Sequence, residues 1–99
     1  MDQNNALDVF SALSQATRLE VFRLLIKAGE EGMSAGEISD TLNVRQNTMS
    51  SNLSILSRAG LIRSAREGRS IRYSADMDGL RGLLAFLMED CCGGNPDLC

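Results

Sequence analysis

Residues 44–60 read VRQNTMSSNLSILSRAG, and residues 61–74 read LIRSAREGRSIRYS. In the first stretch apolar residues recur at helical spacing up to Gly60, a residue type on which helices commonly stop. In the second stretch β-branched and aromatic residues alternate with others on both sides of Glu67-Gly68, a pair typical of a tight hairpin turn. The two stretches predict a helix followed by a hairpin of two strands, residues 61–66 and 69–74. The apolar positions of the helix are Met49, Leu53 and Leu56.

Three helices are predicted before this stretch. Apolar residues recur at helical spacing over residues 6–13 and again over residues 15–28. Ser34 and Glu37 form a capping-box pair, Ser-x-x-Glu, which opens a short helix ending near Leu42. The residues expected to be buried in the second helix are Leu19, Val21, Phe22, Leu25 and Ile26.

A tight turn at residues 43–45 joins this short helix to the next one, which reaches Ala59. Two short helices joined by a tight turn and followed by a hairpin are the parts of a winged helix-turn-helix. The predicted fold class is therefore mainly α with a β-hairpin (α+β). In such a fold the second short helix lies in the major groove of DNA, and the hairpin is the wing.

The last predicted helix begins near Met77 and has a broad apolar face that one small domain is not expected to cover alone. A homodimer is therefore predicted. The helix is broken by glycines and a proline, so the chain divides into a domain of residues 1–92 and a tail of residues 93–99. The apolar residues of the last helix are Leu80, Leu83, Leu84, Leu87 and Met88.

The net charge of −3 is unevenly distributed. Residues 43–74 hold six arginines and one acidic residue, a net charge of +5, which leaves −8 for the remainder. An acidic body with one basic segment indicates contact with a polyanion through one face, although a solvated arginine-rich face explains the same pattern. The longest apolar run, residues 83–88, is too short to span a membrane, and residues 1–5 lack the features of a secretory signal. The protein is expected in the cytoplasm, with no membrane contact.

The exposed side of the second short helix is predicted to be small and polar. Amides and hydroxyls both donate to and accept from base edges, and they do not repel phosphates. A merely soluble polar face is the alternative. The residues predicted to contact DNA are Gln46 and Asn47 at base edges, Ser50 and Ser51 at bases or phosphates, and Arg69 at the backbone or minor groove.

All three cysteines, Cys91, Cys92 and Cys99, lie in the last nine residues, and the chain has no histidine. Structural zinc usually takes four ligands, so zinc would need Asp90 or Asp97 as well and is disfavoured. Three soft thiolates suit trivalent arsenic or antimony, or soft ions such as mercury, lead and cadmium. Two alternatives remain. The cysteines form a redox or persulfide switch, or they are reactive thiols at the end of the chain that bind no specific ligand. No organic cofactor is predicted.

The sequence resembles the ArsR/SmtB family of winged-helix repressors over nearly its whole length. The resemblance implies a homodimer formed through the first and last helices, which binds an inverted-repeat operator and releases it when an effector binds. The C-terminal thiols resemble those of arsenic-responsive members, which makes arsenite the expected inducer and antimonite the second choice. Asn52 stands where a histidine is common in the family. The resemblance is carried by Ala12-Leu13, Thr17-Arg18-Leu19, residues 44–53, Leu56, Ala59-Gly60-Leu61-Ile62 and Glu67-Gly68-Arg69.

Two other classes of function fit the sequence less well. A thiol-dependent arsenate reductase would need an imidazole base, a Cys-x-x-Cys pair or an oxyanion-binding loop, and the sequence has none of them, so no enzyme is predicted. A winged helix used only for protein contacts would place its basic hairpin on an acidic partner. Salt-sensitive binding to an inverted repeat distinguishes that class from a repressor.

Overall fold

The computed structural model describes residues 1–91, 93 and 97, and of Asp90 and Cys91 it describes the backbone alone. The helices and strands confirm the predicted fold class, mainly helical with an antiparallel hairpin. In chain order they are α1 (Gln3–Leu13), α2 (Ala16–Ala28), a 3-10 turn (Gly29–Glu31), β1 (Met33–Ser34), α3 (Ala35–Leu42), α4 (Gln46–Arg58), β2 (Ile62–Glu67), β3 (Ser70–Ala75), α5 (Met77–Ala85) and a π-helical segment (Phe86–Cys91).

The core is formed where α1, α2, α3 and α4 meet the base of the hairpin. The apolar side of α4 is fully buried, as its spacing predicts. The prediction for α2 was wrong at two positions, since the side chains of Leu19 and Ile26 are 41% and 39% exposed. These two residues are seven apart on one edge of the apolar face, beyond the buried Phe22, and this edge stays partly exposed. The buried apolar residues are Ala6, Val9, Ala12, Val21, Phe22, Leu25, Ile38, Met49, Leu53, Leu56, Leu61, Ile62 and Leu83.

The sheet has three antiparallel strands in the order β1-β3-β2. The two-residue strand β1 was not predicted; its Met33 pairs with Tyr73 of β3. The hairpin turn is Gly68-Arg69, one residue later than predicted, because Glu67 pairs with Ser70. Gly68 has φ of 61° at the first central position of the turn, where a tight hairpin favours glycine. Arg69 therefore lies at the tip of the wing.

The helix-turn-helix is held together by local caps. The Ser34 hydroxyl accepts from the backbone N–H of Glu37 at 3.2 Å, and the Glu37 carboxylate accepts from the backbone N–H of Ser34 at 3.0 Å, so the predicted capping box is confirmed. Asn43 ends α3 with φ of 55°, a left-handed conformation that asparagine adopts more readily than most residues. The turn between α3 and α4 is therefore only three residues long, residues 43–45. None of the helices in the described part of the chain is long and apolar enough to cross a membrane.

Candidate nucleic-acid interface

The exposed side of α4 is a continuous polar surface, which we call the reading face. Its members lie opposite the buried apolar side of the same helix and are all exposed. The first turn of α4 has no acidic residue, and the N–H groups at a helix N-terminus favour negative charge. This end of α4 is therefore suited to approach phosphate and base acceptors. The reading face consists of Gln46, Asn47, Ser50, Ser51 and Ser54.

Asn47 makes two contacts within α4. Its side-chain oxygen accepts from the backbone N–H of Thr48 at 2.8 Å, and its carbonyl oxygen accepts from the Ser51 hydroxyl at 3.4 Å. These bonds are local to the helix, so they do not remove the residue from the reading face. Asn52, by contrast, is only 6% exposed and lies on the buried side. It therefore does not belong to the reading face.

The wing arginines have two different environments. Arg69, predicted to contact DNA, is exposed in the turn, and Arg66 is exposed in β2. Arg72 instead donates to the carbonyl oxygens of Glu31 at 2.9 Å and Gly32 at 2.8 Å. It belongs to the fold, and the basic segment counted from the sequence therefore offers one arginine fewer to a polyanion. Its partners lie about forty residues away along the chain, so no local pattern indicated this role.

Among the titratable groups of the described residues, Glu37 is the one whose pKa departs clearly from that of a free side chain. Its hydrogen bonds with Ser34, from backbone and hydroxyl, lower the pKa of the carboxyl, and the Arg72 guanidinium at 3.3 Å lowers it further. The effect stabilises the ionised form. The start of α3 is thus tied electrostatically to the base of the wing.

The predicted thiol site lies outside the described residues. Cys91 closes the π-helical segment by its backbone, while its side chain, Cys92 and Cys99 are not described. Within the part of the chain that is described, no cluster of three or more His, Cys, Asp or Glu residues is arranged to hold a metal ion. The thiol site therefore stays a prediction from the sequence.

A helix-turn-helix with an exposed polar second helix and an adjoining wing defines the class of winged-helix DNA-binding regulators. A family model described as a helix-turn-helix domain matches residues 13–65. The transcriptional repressor SdpR of Bacillus subtilis is 33% identical over 91 residues, which cover 92% of this chain and 98% of SdpR. An ArsR-like transcriptional regulator from Rhodococcus sp. RHA1 has a TM-score of 0.78 at 31% identity, over 92% of this chain and 82% of that one.

A third relative, from Halobacterium salinarum, is provisionally named the arsenical resistance operon repressor ArsR. It is 38% identical over 78 residues, which cover 79% of this chain and 60% of the relative. The chain belongs to the ArsR/SmtB family of winged-helix transcriptional regulators. Its fold and relatives are those of DNA-binding regulators and not of enzymes.

Proposed function

We propose that this protein is a repressor that binds an inverted-repeat operator as a homodimer. Gln46 and Asn47 read base edges in the major groove, where amides make bidentate contacts. Ser50 and Ser51 contact bases or phosphates, and Arg69 at the wing tip contacts the backbone or minor groove. The observation that carries the proposal is the reading face itself, an exposed helix side with no carboxylate next to the helix N-terminus.

The homodimer is supported by apolar side chains left exposed on α1 and α5. Leu7 and Phe10 of α1 are 55% and 44% exposed, and Leu84 of α5 and Met88 beyond it are each 50% exposed. The start of the chain lies beside α5, since a Cβ atom at Gly82 would be 3.4 Å from the Met1 methyl group. Large apolar side chains left exposed on α1 and α5 are expected to be covered by a partner. A second copy of the chain is the partner that we propose.

The proposed inducer is trivalent arsenic, with antimony as the second choice, bound by Cys91, Cys92 and Cys99. Three soft thiolates without histidine suit such a three-coordinate centre. The provisional name of the Halobacterium relative supports the assignment. The π-helical segment joins α5 to Cys91, so a ligand on these thiols would lie at the end of the helix that we place in the dimer. The competing proposal is that cadmium, lead, mercury or an oxidant is the signal at the same cysteines.

DNA reading is tested by selecting bound duplexes from a random library with the reduced protein. We expect an inverted repeat whose half-sites are about one helical turn apart, near 34–36 Å. The Gln46→Ala/Asn47→Ala double variant should lose the preference at the base pairs that these residues contact. Recovery of no common sequence by the wild-type protein would refute the proposal.

Induction is tested by fluorescence anisotropy on the selected duplex. Arsenite, antimonite, cadmium, lead, zinc and an oxidant are titrated in parallel. An allosteric coupling of about 1–3 kcal/mol lowers DNA affinity by about 5–150-fold, and we expect this loss with arsenite or antimonite. Single Cys→Ser variants should bind DNA like the wild type but ignore arsenite. Release by divalent ions or oxidant alone would assign a different signal to the same repressor.

A further inference from the structure

Arg18 connects three helices through one guanidinium group. It lies in the first turn of α2, and its Nε donates to the carbonyl oxygen of Ala12 at 2.7 Å, while Nη2 donates to that of Ser11 at 3.3 Å. On the other side Nη1 donates to the side-chain oxygen of Asn52 in α4, also at 3.3 Å. The end of α1 and the middle of α4 are thus joined through one side chain.

The contact between Arg18 and Asn52 is sheltered from water. Asn52 is 6% exposed and Arg18 is half-buried. A buried amide oxygen that loses its donor retains the cost of desolvation, so this bond favours one position of α4 over others. The backbone N–H of Arg18 is also fixed, because it donates to the Gln15 side chain at 2.9 Å. Among the described residues no carboxylate lies within ion-pair distance of Arg18, so its directional contacts are the three oxygens named above.

The position of Asn52 makes this contact relevant to DNA binding. It is the next residue after Ser51, about 100° further round the axis of α4, and it lies on the buried side, away from the centre of the reading face. Holding Asn52 therefore fixes the rotation of the reading face about the helix axis. The other anchor, α1, carries part of the apolar surface that we assign to the dimer. We infer that Arg18 is a positioning residue that sets the orientation of α4 relative to α1, and with it the spacing of half-sites that the dimer accepts. This inference rests on the proposed function.

The test measures spacing preference as well as affinity. Anisotropy is recorded on the selected inverted repeat, on versions with one or two base pairs added or removed between the half-sites, and on scrambled DNA. The variants are Arg18→Ala, Asn52→Ala and the control Arg23→Ala, which removes an exposed arginine from the same helix. The double variant Arg18→Ala/Asn52→Leu removes the guanidinium and the Asn52 amide together, so the amide oxygen is not left without its donor. The carbonyl oxygen of Ala12 loses the Arg18 Nε in Arg18→Ala and in the double variant alike. Circular dichroism identifies the variants that are folded at the assay temperature.

We expect Arg18→Ala, Asn52→Ala and the double variant to lower the ratio of specific to scrambled-DNA affinity about tenfold, which corresponds to about 1.4 kcal/mol. They should also accept altered spacings almost as well as the original one. If Arg18 and Asn52 had a purely structural role, their substitution would lower thermal stability but leave the spacing preference of the folded protein unchanged. If the folded variants keep the wild-type ratio of specific to scrambled-DNA affinity and the wild-type spacing preference, the inference is overturned. Absence of specific binding by the wild-type protein would instead refute the proposed function.

Discussion

The guanidinium of Arg72 in β3 lies 3.3 Å from the carboxylate of Glu37 in the first turn of α3. The same guanidinium donates to two backbone carbonyl oxygens in the segment that precedes α3. The base of the wing is therefore attached to the start of the helix-turn-helix. Because both elements are expected to contact one DNA duplex, their relative position bears on function.

Arg72 and Arg69 are both arginines of the wing, but we predict different roles for them: Arg72 stabilises the fold, and Arg69 contacts DNA. Arg72→Ala should lower the free energy of unfolding by about 1–2 kcal/mol through loss of its bonds to carbonyl oxygens, and urea denaturation measures this change. Arg69→Ala should leave stability unchanged but weaken DNA binding and reduce the slope of log K against log salt by about one. An unchanged salt slope for Arg69→Ala would exclude a phosphate contact at the wing tip.

The lowered pKa of Glu37 predicts that the protein loses stability in acid. The pKa of the Glu37 carboxyl is lowered in the folded protein by the bonds with Ser34 and by Arg72, so its contribution to stability is fully present above the pKa of the unfolded chain. The contribution is lost as pH falls through the lower, folded pKa. The fall in melting temperature between pH 7 and pH 3 should be smaller in Glu37→Gln, which retains the capping oxygen without the charge. An equal fall in both proteins would contradict this role of Glu37.

Gly79 is expected to be intolerant of a side chain. A Cβ atom at this position of α5 would collide with the carbonyl oxygen of Gly60, a backbone atom in the turn after α4. Gly79→Ala should therefore destabilise the protein by about 1–3 kcal/mol, in the range of overpacked sites. Gly82→Ala is the matched control in the same helix and should be neutral, or stabilising by up to about 1 kcal/mol. The free energy of unfolding of both variants is measured at one protein concentration. Similar stability of the two variants would contradict the close approach of α5 to the turn at Gly60.

The apolar surface on α1 and α5 predicts the oligomeric state. Leu84→Glu should convert a dimer to a monomer, because a carboxylate would be buried in the interface without a partner. Ile71→Glu is the control, since Ile71 is 45% exposed on the wing and lies outside the proposed interface. Sedimentation equilibrium measures the mass of each variant. A wild-type protein that is monomeric at micromolar concentration would refute the homodimer.

Much of the fold could be predicted because it depends on local signals. The spacing of Met49, Leu53 and Leu56 indicates which side of α4 is buried, and the pair Ser34 and Glu37 indicates where α3 begins. These patterns act within one or two helical turns. Periodicity alone, however, does not show how wide a face the neighbouring elements cover, which is why Leu19 and Ile26 were wrongly expected to be buried.

The features that sequence reasoning missed depend on distant partners. Strand β1 exists because Met33 pairs with Tyr73, and two residues carry no strand signal of their own. Arg18 matches a family motif, but its bond to Asn52 spans 34 residues. The reading face could be predicted because its members share one helix. Base contact also depends on the DNA partner, so it stays a prediction.

The most direct test of the central claim is the affinity of the reduced protein for its selected inverted repeat and for scrambled DNA of the same composition. We predict that the inverted repeat binds at least about 10³-fold more tightly, as is typical of specific regulators. Gln46→Ala/Asn47→Ala should remove most of this difference while leaving binding to scrambled DNA and its salt dependence unchanged. Equal affinity of the wild-type protein for both duplexes, or an unaltered difference in the double variant, would contradict the claim that α4 reads DNA.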